Sequence, residues 1–354
     1  MSQAAQSRNR RRLLVTLAAP FLGLLLLEGV VRMTGISSLP VPEVEDRLLS
    51  EVNESDLKFV NRPNGMKRVT YKEGGESWTV VMNLNADRFR GPRLEREKPA
   101  GQLRIACLGD SHTFGEGVPN GGTWPDHLRK FAGADVEVIN AGVDAYDTLQ
   151  EALWYEQFVE SWNPDVVLLA YFPNDVAARG VGGGTESEQL VVWTHPRQTG
   201  WIRSLRTHSK AADVICDRIY NWRSLQARQL AWNERYIDGD PGWQRARQAL
   251  LRLRARCNAQ GRDFHVALFP YLVEKEGAFV SSKALAVVRE FCEQSGISCF
   301  DGEPALLEEL ERCSGAQELR VGQGDFHANS RAYGAFAKAL ASWLVRTGVL
   351  PKSP

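Results

Sequence analysis

A serine stands at the end of an apolar run: Leu103-Arg-Ile-Ala-Cys-Leu108 is followed by Gly109-Asp110-Ser111. The pattern reads as a buried strand that delivers a hydroxyl at its carboxyl end. Serine is a weak nucleophile alone, so Ser111 could attack a carbonyl only with a base, an acid to orient that base, and donors for the oxyanion. The chain has 6 histidines, and two of them share the tripeptide Asp-Phe-His, at Asp263–His265 and Asp325–His327. His265 leads into Val-Ala-Leu-Phe269 and reads as a structural residue within a strand. His327 follows the glycine-bearing Gly322-Gln-Gly324 and precedes Ala-Asn329-Ser330, a helix start, which puts it on a loop between the sheet and the last helix. In extended backbone, residues i and i+2 point the same way. Asp325 could therefore hold one ring nitrogen of His327 while the other faces Ser111; its alternative role is that of a turn or helix-capping residue.

Donors for an oxyanion are the remaining need. Gly142 closes the strand Val136-Glu-Val-Ile139 through Asn140-Ala-Gly142, and its backbone N–H carries no side chain to block a substrate oxygen. Asn174 follows the strand ending at Tyr171 and offers a side-chain amide, and the Ser111 N–H would be the third donor. Taken singly, Gly142 reads as a turn glycine and Asn174 as a turn asparagine. Their placement after successive strands is what joins them to the serine. His112, next to the nucleophile, points away from it on a turn and is not expected to serve as a base. No Cys/His cluster has zinc spacing and no glycine-rich phosphate loop is present, so neither metal nor cofactor is expected.

The elements that must position these residues alternate. Strands at Leu103–Leu108, Val136–Ile139, Asp165–Tyr171, Phe264–Phe269 and Ile297–Phe300 are interleaved with helices at Thr148–Trp162, Ser281–Gln294 and Ser330–Val345. Alternation of this kind predicts an α/β fold with a parallel sheet and right-handed crossovers. The near-continuous apolar strand at Asp165–Tyr171 fits a sheet covered on both faces. Residues 176–245 interrupt the rhythm with Gly180-Val-Gly-Gly-Gly184 and a stretch rich in Trp, Arg and Tyr. That region reads as a helical insertion, either with a small core of its own or as a cap that shapes a substrate pocket.

With these residues in place, the sequence resembles the SGNH (GDSL-type) hydrolase superfamily. The first block corresponds to Gly109-Asp-Ser111 with Thr113-Phe-Gly115-Glu-Gly117-Val118, the second to Asn140-Ala-Gly142, the third in part to Asn174-Asp175, and the fifth to Asp325-Phe-His327-Ala-Asn329 with Gly334 beyond. The resemblance implies a flavodoxin-like three-layer α/β/α sandwich. It also implies Ser111 as nucleophile, His327 as base, Asp325 as its orienting acid, and Ser111, Gly142 and Asn174 as the oxyanion hole. Two positions depart from the pattern. Phe172 stands where the third block usually has glycine, which would narrow the pocket, and one residue rather than two separates Asp325 from His327. The leader Arg88-Phe-Arg90-Gly-Pro92 and the segment Leu27-Glu-Gly-Val-Val-Arg32 are similar to those of membrane-anchored bacterial members.

Composition and termini frame the rest. The 354 residues balance 43 basic against 43 acidic side chains, which excludes a nucleic-acid binder driven by bulk charge. Arg8, Arg10, Arg11 and Arg12 precede the uncharged run Leu13–Leu27. The expected organisation is a basic cytoplasmic tail at 1–12, a signal anchor or transmembrane helix at 13–33 in a lipid bilayer, a linker and small β-rich leader at 34–100, and the hydrolase domain at 101–350. A cleaved signal peptide is the alternative for the N-terminus. Either arrangement places the domain on the extracytoplasmic, periplasmic side of the cytoplasmic membrane. There Cys292 and Cys299, which flank a short turn, could bridge. The expected function is a serine esterase acting on a short-chain or acetyl ester, with carbohydrate as the expected alcohol. The alternatives are an O-acyltransferase of envelope or exopolysaccharide and a non-catalytic envelope binding protein.

Overall fold

In the computed structural model, the residues described are 19, 22–35, 43–51, 57, 59–73, 76–176, 200–219, 234–322 and 325–351. Strands β1 (Glu43–Glu51), β2 (Phe59–Glu73) and β3 (Glu76–Asn83) form an antiparallel sheet in the order β1-β2-β3. β1 lies in the segment expected as linker and small β-rich leader, 34–100. It is a strand because its charges find partners across the ladder: Glu45 faces Arg68 at 3.1 Å and Glu43 faces Lys72, while Leu48 turns inward and is buried.

The main sheet has five parallel strands: β4 (Leu103–Gly109), β5 (Val136–Asn140), β6 (Val166–Tyr171), β7 (Asp263–Leu268) and β10 (Ser298–Asp301). Their spatial order is β10-β7-β6-β4-β5, which in chain order is the 2-1-3-4-5 arrangement of flavodoxin-like folds. Every residue of β6, at the centre, is buried, which explains its unbroken apolar run. The connection from β4 runs one way to β5 and the next runs back to β6, so right-handed crossovers place their helices on opposite faces. The helices sort accordingly. Trp124–Ala132 packs with Ser330–Arg346, which also meets Glu303–Leu310, whereas Thr148–Trp154 packs with Pro241–Ala259. The expected helix at Thr148–Trp162 loosens into a π turn at Tyr155–Val159 and a 3-10 turn at Glu160–Trp162. Two short hairpins complete the strands: β8 (Glu274–Lys275) with β9 (Ala278–Phe279), and β11 (Arg320–Gly322) with β12 (Asp325–Ala328).

A second compact unit combines the N-terminus with part of the insertion. Residues 22–34, Gly200–His208 and 210–219 are helical. Glu28 accepts hydrogen bonds from the Ser209 hydroxyl at 2.8 Å and from the amides of Lys210 and Ala211 at 3.0 and 2.9 Å. A carboxylate thus satisfies the orphan amides at the start of helix 210–219. Val31, Ala211 and Val214 form a small buried cluster in the same unit.

Two expectations change, and a third falls only in part within the described residues. Among the described residues no helix is long and apolar enough to cross a membrane. Of the transmembrane helix expected at 13–33, residues 13–18, 20 and 21 lie outside the described residues. Of the insertion expected at 176–245, residues 177–199 and 220–233 also lie outside. The end of that insertion moves forward: Pro241–Ala259 is one helix whose Trp243, Leu250 and Leu253 are buried in the main unit. Finally, Cys292 and Cys299 are free thiols rather than a bridge.

Candidate active site

Ser111 follows β4, Gly142 follows β5 and Asn174 follows β6, so all three lie at the carboxyl edge of adjacent strands, around the point where strand order reverses. Open α/β sheets bind their ligands at that point. Asp110 caps the short helix Ser111–Phe114, its carboxylate accepting the His112 amide at 2.8 Å. Ser111 is the first residue of that turn, where an amide has no intrahelical acceptor and is open to an anion.

The histidine expected as base lies far along the chain from Ser111. His327 lies in β12, whose partner β11 holds it extended, so Asp325 and His327 share one side of the strand. Nε2 of His327 is 2.9 Å from Ser111 Oγ, and Nδ1 is 2.6 Å from Asp325 Oδ1. With the Nδ1 proton on the carboxylate side, Nε2 is free to accept from the serine hydroxyl. Asp325 Oδ1 also accepts the His327 amide at 3.0 Å. Burial alone would raise the Asp325 carboxyl, but the His327 charge and these hydrogen bonds hold it well below the usual carboxylate range. Burial alone would lower His327; the Asp325 charge, with Glu116 and Asp144 behind it, outweighs burial and raises it to about 9.

Both expected protein-side contributors to the oxyanion hole beyond Ser111 are at the site edge, in different states. The Gly142 amide donates to its own Asn140 Oδ1 at 3.1 Å, so a substrate oxygen must share or take that proton. A Cβ on Gly142 would stand 2.2 Å from the Phe114 amide nitrogen, so the nucleophile turn itself requires a glycine here. Asn174 is the second residue of the turn Pro173–Val176, half-buried, with its Oδ1 unpaired. His265 lies in β7, as expected, packed edge-on against Trp343, and its ring nitrogens have no partner.

His112 is buried and stacks on Phe172 with ring centroids 3.8 Å apart, 5.0 Å from the His327 ring. Burial first, and the neighbouring His327 second, push it well below the usual histidine range, so it is a neutral wall of the site. Close to Asp110 lie Glu151 and Asp175, both buried, with Glu151 oxygens unpaired. Burial and the neighbouring carboxylates, Asp110 among them, drive both carboxyls upward, which favours their protonated forms.

Sequence reasoning missed the side chains that brace these loops. Arg90 is buried and donates to the carbonyls of Phe114 (2.7 Å), Gly115 and Val118, while its guanidinium lies 4.8 Å from the Phe114 ring centroid. It caps the nucleophile helix from the leader. Asn61 in β2 donates to the Gly142 carbonyl at 3.0 Å, and Tyr71 in β2 donates to Asp325 Oδ2 at 3.1 Å. The only local signal was the Arg88–Pro92 similarity; nothing in β2 points to a partner so distant in sequence.

A serine, a histidine and an aspartate in hydrogen-bonded series at the carboxyl edge of a doubly wound sheet define a class: hydrolases that work through an activated hydroxyl. Residues 107–335 match the family model described as GDSL-like Lipase/Acylhydrolase. The chain belongs to that family, and it is a hydrolase acting on ester bonds. No curated protein matches the chain. Similar solved structures include a carbohydrate acetylesterase family member from Sinorhizobium meliloti, 13% identical, covering 70% of this chain and 100% of that one with a TM-score of 0.40. A psychrotrophic esterase from Pseudoalteromonas is 12% identical, with 70% and 100% covered and a TM-score of 0.42. An alpha/beta hydrolase enzyme from the metagenome of Lake Arreo, Spain, is 17% identical, with 72% and 99% covered and a TM-score of 0.44.

Proposed function

We propose that the protein is a serine esterase that removes a short acyl group, acetyl in size, from a carbohydrate ester outside the cytoplasmic membrane. The observation that carries this reading is the series Ser111 Oγ to His327 Nε2 (2.9 Å) and His327 Nδ1 to Asp325 Oδ1 (2.6 Å). Ser111 Oγ attacks the ester carbonyl as His327 takes its proton. The tetrahedral oxyanion is held by the Ser111 and Gly142 amides and the Asn174 side chain. The alkoxide leaves with the proton from His327, giving an acyl-enzyme on Ser111. Water, deprotonated by His327, then releases the acid and restores the serine.

Phe172 stacked on His112 supports a short acyl chain, since two rings fill space beside the base where the family pattern has a glycine. Trp78 supports a sugar as alcohol. It is exposed, stacks on Tyr71 at 5.4 Å, and presents an aromatic face one ring away from Asp325, the kind of surface on which a pyranose packs. The four arginines before Leu13–Leu27 support a membrane tether, as do Leu22, Leu24, Leu25 and Leu26, each more than half exposed.

The test is labelling of the full chain with a fluorophosphonate, beside turnover of acetylated and longer acylated oligosaccharides. The wild type should label and Ser111→Ala should not; full labelling of the alanine variant would remove Ser111 from the nucleophile role. Protease added to intact spheroplasts should digest the domain, and protection would place it inside.

A further inference from the structure

We propose that the leader sheet β1–β3 is part of the catalytic apparatus, and that Tyr71 is a positioning residue that acts on the reaction through Asp325. The inference rests on the active-site reading above and goes beyond it.

The segments that carry Gly142, Ser111 and Asp325 each receive a side chain from the leader region. Asn61 holds the Gly142 carbonyl, Arg90 holds the end of the nucleophile helix, and Tyr71 reaches the acid. The Tyr71 contact leaves Asp325 no rotational freedom. One carboxylate oxygen accepts from the His327 ring and amide, at 2.6 and 3.0 Å, and the other accepts the Tyr71 hydroxyl at 3.1 Å. A carboxylate fixed at both oxygens fixes the plane and tautomer of the imidazole it holds.

The phenol is itself held. Its ring is buried and stacks on Trp78, its cross-strand partner, at an interplanar angle of 17°. The chain after the nucleophile helix makes room for it: Gly117 has φ +78°, and a Cβ there would stand 2.6 Å from the Tyr71 hydroxyl. Burial and the Asp325 charge push the phenol ionisation upward, so the hydroxyl stays a donor. The charged and titratable groups that face His327 are Asp325, Glu116, Asp144 and His112, with Lys67 of β2 bound to Glu116 at 2.9 Å and to Asp144 at 3.3 Å.

The experiment uses the full chain with 4-nitrophenyl acetate, comparing wild type, Tyr71→Phe and Ser111→Ala. Tyr71→Phe keeps the ring and its stack and removes one hydrogen bond. Its kcat should fall about 10-fold or more, KM should stay within about 2-fold, and the unfolding temperature should be close to wild type. The acid limb of kcat/KM should move to higher pH, because an Asp325 relieved of Tyr71 stabilises the imidazolium more strongly. A merely structural tyrosine would not move that limb. Wild-type kcat with an unmoved limb in Tyr71→Phe, beside an inactive Ser111→Ala, would overturn the positioning role alone. Undiminished turnover by Ser111→Ala would overturn the active-site reading and this inference with it. If Tyr71→Phe does not fold, 3-fluorotyrosine at position 71 supplies a stronger donor in the same place. The limb should then move to lower pH, and a fixed limb would overturn the proposal.

Discussion

His327 carries a tension between holding a proton and giving it up. In its proposed role as base it must be neutral, yet the carboxylates around it raise it to about 9. In the free enzyme kcat/KM should therefore climb as pH rises toward about 9, measured as a pH–rate profile on a neutral acetate ester. The same shift has a stability consequence of fixed sign. A histidine raised above its ordinary value stabilises the fold fully below about pH 6.5, and that contribution is lost as pH rises through about 9. Lys67 moderates the effect by pairing with Glu116 and Asp144. Lys67→Met should push the acid limb of the profile higher still. Phe172 gives a prediction of a different kind. Phe172→Gly should raise kcat/KM for hexanoyl over acetyl esters by roughly 10-fold or more, at about 1–3 kcal/mol per accommodated methylene. An unchanged chain-length preference would show that Phe172 does not bound the acyl site.

The elements that deliver these side chains were legible to different degrees. β4, β5 and β6 could be read from the sequence because a buried parallel strand is a run of apolar residues, and each functional residue follows such a run. Asp325 and His327 could be paired because a period of two survives even in a four-residue strand. The leader's part in the site was not legible. β1 is mostly charged, and its strand character depends on Arg68 and Lys72 across the ladder. Arg90 and Tyr71 act on loops far along the chain, and no local pattern encodes such a partner. The free thiols Cys292 and Cys299 show the same limit, since spacing cannot tell a bridge from two separate thiols. Arg90 offers the sharpest test at this scale. Arg90→Met leaves the Phe114, Gly115 and Val118 carbonyls without their donor in a buried place and should destabilise the protein by about 2–4 kcal/mol. Denaturant unfolding measures it, and a loss under about 0.5 kcal/mol would mean that the cap is dispensable.

At the scale of the whole molecule, the site is where the two ends of the hydrolase unit meet. Tyr71 and Asp325 are 254 residues apart, and Ser111 and His327 are 216 apart. Contacts of such separation form late, because the closing entropy of a long loop must be met before any bond repays it. The polypeptide leaves the ribosome with the leader and Ser111 long before His327. A nascent chain halted before Asp325 therefore carries an exposed serine with nothing to ionise it. Ribosome-bound chains ending at residue 320 should be inert toward a fluorophosphonate, and reactivity should arise abruptly once β12 and the helix Ser330–Arg346 have emerged. The order of synthesis thus works as a safety catch: Ser111 cannot cut an ester until the segment that carries His327 has been made.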